Sequence, residues 1–199
     1  MTQRSESSVD PRVARTRRSL QDALLGLARE HPLDEIPVAD IAERAGVNRS
    51  SFYQHYADKE TLLADALDAV AEEFGTRLEV RAIAVPRRDG PPAALGAYLA
   101  HIDANAALYA RVLGDQGAGG VMARGRRRIE AIARESILGA VGPGFGDLPV
   151  DVVAAGVTGL ALGVIGAWLA RDPRPSVETA TDWVWRVVLG PADTGPGGS

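Results

Sequence analysis

The chain of 199 residues has no cysteine, three histidines and, among 22 Lys and Arg side chains, a single lysine, Lys59. Without thiols it forms no disulfide and offers no thiolate to a metal, which suits a reducing cytoplasm. None of His31, His55 and His101 lies in a metal-ligand spacing with another. The chain also lacks HExxH, a phosphate-cradling glycine loop followed by Lys-Ser/Thr, and the G-x-S-x-G elbow. No catalytic activity, cofactor or metal is therefore expected. MTQRSESSVD at the N-terminus has no apolar segment, so no signal peptide is expected there. The net charge is −4, so any affinity for nucleic acid must rest on local charge rather than on the total.

One uncharged run interrupts this polar picture. Residues 152–170, VVAAGVTGLALGVIGAWLA, are long enough to span a membrane. They are rich in Gly and Ala rather than Leu and Phe, and they stand alone. A helix covered on two sides, by its own domain and by a partner subunit, has the same composition. The second reading is adopted: no membrane partner and a cytoplasmic location.

What is present is helical periodicity. Asp10-Pro11 is a cap-plus-proline start, followed by Leu20, Ala23, Leu24, Leu27 and Ala28 at helical spacing. The pattern stops at His31-Pro32. Val38, Ile41, Ala42 and Ala45 predict a short second helix, closed by Gly46 as a left-handed residue. Asn48 caps a third helix with Phe52 and Tyr56 inward, and two short helices joined through a glycine turn form a helix-turn-helix. Asp58 caps a helix running to about residue 80, and helical patterns return over 92–104, 105–113, 119–141, 151–171 and 176–189. The chain is expected to be all-α. It divides into a disordered N-terminal arm (1–10), a three-helix head containing the helix-turn-helix (11–57), a larger helical body (58–190, with 58–80 connecting) and a disordered tail (191–199).

The stretch AGVNRSSFYQHYADKETLL, residues 45–63, resembles the N-terminal signature of TetR/AcrR-family transcriptional regulators, and the likeness extends over about residues 12–65. The resemblance implies a homodimer that binds a palindromic operator, usually represses, and is released by a small molecule entering the helical body. Two positions depart from the pattern. Pro37-Val38 stands where Thr or Ser commonly caps the second helix, and Tyr56 stands where Phe is commoner. A non-specific DNA-binding protein and a ligand-independent helical dimer are the alternatives.

Duplex recognition combines base-edge contacts with phosphate contacts. Arg49, Ser50 and Gln54 are the candidates for bases: Arg pairs with guanine, Gln with adenine, and Ser allows close approach. Asn48, Ser51, Tyr53, His55, Lys59, Arg15 and Arg18 are the candidates for phosphate, although the Arg12/Arg15/Arg18 series also fits a solvated face. Lys59 sits in a first helical turn, where the dipole disfavours a cation. It is read as gaining nothing from the helix and as gripping a phosphate instead. In the body, Tyr98, His101, Asn105, Tyr109 and Trp168 are pocket candidates. Gly159, Gly163 and Gly166 share a helical face and, with Trp183, Val184 and Val187, are the candidate dimer interface. Arg124, Arg126, Arg127 and Arg128 are read as a solvated basic run, with Glu130 and Arg134 paired at i,i+4.

Overall fold

The computed structural model of the protein describes residues 10–75, 90–114, 119–139 and 148–189. The expected arm before Asp10, the continuation of the connecting helix past Gly75 and the expected tail lie outside the described residues. Among those described, the chain is all-α, with nine α-helices and one 3₁₀ turn. It divides into two compact units, Met1–Ala66 and Leu67–Ser199.

The first unit holds α1 (Pro11–Leu27), the 3₁₀ turn Leu33–Glu35, α2 (Val38–Arg44), α3 (Arg49–His55) and the opening turns of α4 (Lys59–Gly75). Each start has a local cause. Asp10 Oδ1 accepts from the Arg12 amide at 2.9 Å, with Pro11 in the first turn. Asn48 Oδ1 accepts from Ser51 N–H at 2.7 Å, and Asp58 Oδ1 from Thr61 N–H at 2.7 Å. Between α2 and α3 the chain reverses at Gly46, whose φ of 69° is a left-handed conformation costly for any residue with a Cβ. The core of this unit is Leu20, Leu24, Ile41, Phe52, Leu62 and Leu63, all excluded from solvent. Ala42 is buried where α1 meets α2 and α3 packs behind it, which explains its small side chain. Because Leu62, Leu63 and Ala66 are also buried, the division between units falls inside α4.

The second unit holds the rest of α4, then α5 (Ala93–Ala104), α6 (Ala106–Leu113), α7 (Gly119–Gly139), α8 (Val150–Leu169) and α9 (Val177–Leu189). Helix α8 packs against α7 on one side and α9 on another. Its inward residues, Val153, Ala154, Thr158, Ile165, Trp168 and Leu169, are buried. Trp168 Nε1–H donates to the Pro175 carbonyl at 2.8 Å, so its polar atom is satisfied inside the core. Among the described residues α8 is the one helix long and apolar enough to cross a membrane, with a mean hydropathy of 2.0.

Candidate nucleic-acid interface and body cavity

Helix α3 is two turns long, and its two sides differ completely. Phe52 and Tyr56 are buried, whereas Asn48, Arg49, Ser50, Tyr53 and Gln54 are exposed. The burial of Phe52 fixes the rotation of the helix, and the 3.6-residue period then turns positions 49, 50, 53 and 54 outward together. Arg49 lies over the Tyr53 ring at 5.6 Å, and Tyr53 in turn meets Phe52 edge-on at 5.3 Å. A buried aromatic thus steadies an exposed one, which steadies the guanidinium. Ser50 Oγ–H donates to Asn48 Oδ1 at 2.6 Å, so the Asn48 side-chain oxygen is occupied at the cap by both Ser50 and Ser51. Ser51 and His55 are half-buried, and Arg15 and Arg18 are exposed on α1. Pro37 begins α2 without a side-chain cap, matching the departure seen in the sequence.

Lys59 requires a correction. Its ammonium donates to three backbone carbonyls: Leu33 at 2.7 Å, Asp34 at 3.0 Å and Ile36 at 3.3 Å. All three N–H groups are engaged within the head, so they are not presented to a phosphate. The sequence predicts no gain for Lys59 from its own helix, but it gains bonds elsewhere in the head. The Leu33 carbonyl also accepts from Ile36 N–H at 3.3 Å, and the lysine crosses from α4 to gather this carbonyl with those of Asp34 and Ile36. The same geometry answers why this one position is lysine in a chain that otherwise uses arginine. Three converging carbonyls match a tetrahedral ammonium, not a flat guanidinium fork.

A second set of residues was invisible to sequence reasoning. Arg17 Nη2 donates to both Asp65 oxygens at 2.9 Å, and its Nε–H to Tyr56 Oη at 3.2 Å. Gln21 Nε2 donates to Asp65 at 2.7 Å, and the Tyr56 hydroxyl donates to the same carboxylate at 2.5 Å. Burial alone would raise the Asp65 pKa, but the bonds from Tyr56 and Arg17 outweigh it and hold the carboxyl below its ordinary value. Burial, then the bond to Asp65, raises that of Tyr56. This cluster ties α1, the end of α3 and α4 into one body. Arg17 and Asp65 are 48 positions apart, a separation that no local periodicity reports.

In the second unit, helices α5, α7, α8 and α9 surround a cavity of about 150 Å³, lined among others by Tyr98, Ile132, Thr158, Leu162 and Trp185. A smaller one of about 40 Å³ lies beside Tyr98, Tyr109, Arg126 and Leu162. Of the expected pocket residues, Tyr98 lines both and Tyr109 the smaller. Trp168, His101 and Asn105 line neither. Trp168 is core; Asn105 is buried at the α5–α6 junction and donates to the His101 carbonyl at 2.7 Å. His101 packs against Phe74 and, edge-on, against Tyr109. Burial pushes the Tyr98 hydroxyl pKa up to about 12 and raises that of Tyr109 further, so both stay neutral.

The arginine run of α7 is not simply solvated. Arg124 pairs with Asp68 at 2.6 Å and Arg128 with Glu72, tying α7 to the second half of α4. Glu130 pairs with Arg126 at 2.9 Å, one turn before it, rather than with Arg134. On α8, a Cβ added at Gly156, Gly163 or Gly166 would meet nothing within 4 Å, and at Gly159 only Arg126 at 3.7 Å. That face is open, and Val152, Leu160 and, on α9, Val187 are exposed beside it. Val184 is corrected: it is buried in its own chain and lines the larger cavity. Trp183 lies under Arg171 at 4.9 Å. Among the described residues no group of three His, Cys, Asp or Glu side chains could hold a metal ion.

Residues 20–66 match the family model described as bacterial regulatory proteins, tetR family. The head of the chain, residues 20–66, carries the tetR-family pattern. The matched residues are the head just described, from the core leucine of α1 to the α4 turns that carry Asp65. A curated relative, the uncharacterized HTH-type transcriptional regulator YxbF of Bacillus subtilis, is 37% identical over 76 residues, which are 38% of this chain and 20% of that protein. The match therefore spans about a fifth of that relative's length. Across nearly the whole chain the tetR-family fold recurs in solved structures. A TetR transcriptional regulator from Streptococcus agalactiae shares 21% identity with a TM-score of 0.55, covering 89% of this chain and 95% of that one. Thermus thermophilus FadR, a TetR-family transcriptional repressor solved with lauroyl-CoA, shares 17% identity with a TM-score of 0.55, covering 92% and 100%. The matched proteins named here are described as transcriptional regulators or repressors.

Proposed function

We propose that this tetR-family regulator is a cytoplasmic homodimeric repressor that binds a palindromic operator and is released by a small molecule entering the body. The observation that carries the reading is the two-sided α3, with its core face fully buried and Arg49, Ser50, Tyr53 and Gln54 turned outward together. Arg49, Ser50 and Gln54 read base edges in the major groove, and Asn48, Ser51, Tyr53 and His55 contact phosphate, with Arg15 and Arg18 of α1 reaching backbone or minor groove beside it. Tyr53 has a double duty, since it also carries the Arg49 guanidinium. The test is selection of bound fragments from the genomic DNA of the source organism, followed by competition of the selected site against random duplex at fixed salt. Discrimination against random duplex is expected. Equal affinity for both would make the protein a non-specific DNA coater, and no binding to any duplex would leave only a helical dimer. On the selected site, Arg49→Ala is expected to cost about 1–3 kcal/mol and to relax preference at one base position per half-site.

The dimer is assigned to the open glycine face of α8, Gly159, Gly163 and Gly166, with Trp183 and Val187 of α9. Glycines within a helix cost about 1 kcal/mol each relative to alanine, and no described side chain of the same protomer lies within 4 Å of a Cβ added at Gly163 or Gly166. Close approach of a second backbone supplies the missing contact. Gly163→Trp is expected to give monomers on a sizing column with unchanged helix content, because an added Cβ there meets nothing in its own chain. A dimer of normal size would remove this interface. Release follows if the ligand favours a spacing of the two reading helices that no longer fits grooves one turn apart, transmitted through α4, which has turns in both units. A coupling of about 1–3 kcal/mol corresponds to a 5–150-fold loss of operator affinity.

A further inference from the structure

The larger cavity of the body has a chemical character sharp enough to name its guest. Its wall is almost wholly hydrocarbon: Leu95, Ile132, Val157, Leu162 and Ile165 face it from α5, α7 and α8. Among the described residues, no Lys, Arg, His, Asp or Glu is in its lining. A ligand carboxylate or ammonium placed there would lose its hydration without gaining a counter-charge, and such a group neutralises or stays out. The volume of about 150 Å³ is that of an apolar cavity which accepts benzene in an engineered protein.

One polar atom in that wall lacks a partner. Thr158 is 1% exposed, and its Oγ1 makes no hydrogen bond. A helical threonine ordinarily donates its hydroxyl back to the preceding turn. Here Thr158 lines the cavity, and its hydroxyl is buried with that bond unmade. An unsatisfied buried hydroxyl is disfavoured unless something completes it.

We propose that this cavity takes a neutral, hydrocarbon-rich molecule of about one ring bearing a hydrogen-bond-accepting oxygen, and that the Thr158 hydroxyl donates to that oxygen. The inference rests on the reading of the body as the effector domain. It names the effector's class: uncharged, compact, with a ketone, ester or ether oxygen at one end. Trp185 at the cavity wall makes occupancy visible by fluorescence.

Three probes of similar size separate the terms in the full-length protein without DNA: acetophenone (neutral, one acceptor oxygen), ethylbenzene (neutral, no oxygen) and benzoate (anionic). Titration calorimetry at neutral pH is expected to rank acetophenone first, ethylbenzene about tenfold weaker and benzoate without measurable binding. Thr158→Val keeps the shape and removes the hydroxyl. It is expected to melt at or above the wild-type temperature, because no hydrogen bond is lost, and to bind acetophenone and ethylbenzene equally. Benzoate binding as tightly as acetophenone, no binding of any probe, or a Thr158→Val variant that still prefers acetophenone would each overturn the proposal. Because operator binding is not used in the readout, loss of this proposal leaves the DNA-binding function intact, and a protein that ignores every duplex can still rank the three probes.

Discussion

Asp65→Ala is expected to destabilise the head by about 3 kcal/mol, read as a lower urea midpoint for the transition that exposes the head. The carboxylate receives hydrogen bonds from Arg17, Gln21 and Tyr56, and its own side chain is only 15% exposed. Removing one member of a largely buried charged cluster costs more than the cluster contributes net, because its partners are left desolvated and unpaired. Tyr56→Phe removes a single donor and should cost only about 1 kcal/mol. If Asp65→Ala is no worse than Tyr56→Phe, the cluster is decorative. The same group sets an acid dependence. Its pKa in the fold is lowered from the ordinary 3.8, so its contribution is complete above that value and disappears as pH falls through the lower folded-state value. The wild type should lose stability in that acid window, and Asp65→Asn, with nothing to titrate there, should lose less. Replacement of the commoner Phe by Tyr at position 56 is thus more than a mild change, since it adds the hydroxyl that joins α3 to this cluster.

Lys59→Ala comes second in size, at about 2 kcal/mol, the scale of hydrogen bonds from a charged donor to backbone carbonyls. The loss appears as a lower midpoint of the same transition. Lys59→Arg is expected to recover little of it, because a planar guanidinium cannot meet the Leu33, Asp34 and Ile36 carbonyls together. On the selected operator, Lys59→Ala should leave the salt dependence of binding unchanged once the head is folded. A slope flatter by about one unit with unaltered stability would return this lysine to the phosphate backbone.

The two residues show why the candidate site was only partly readable in advance. Asn48, Arg49, Ser50 and Gln54 were placed by local rules. A cap starts the helix, Phe52 and Tyr56 turn its apolar side inward, and the remaining positions must look outward. Lys59 and Asp65 obey no such rule, because the Lys59 carbonyls lie 23 to 26 positions away and Arg17 and Gln21 lie 48 and 44 from Asp65, and only folding brings them together. The body repeats the contrast. The glycine spacing of α8 marked one unusual face, but only packing showed which residues turn inward: Val184 and Trp168 toward the interior, Gly163 toward open space.

What the amino-acid sequence determined by itself was therefore the all-helical course of the chain, its caps and its glycine turn, and the family to which the head belongs. Those features depend on interactions within a few residues, or on a run of side chains that is itself the signal. Tertiary structure alone decided that the lone lysine closes the 3₁₀ turn, that Arg17 rather than its neighbours holds Asp65, and that Thr158 borders an uncharged cavity. Each of these depends on side chains from separate helices meeting at a few ångströms, a distance set by packing and not by order along the chain.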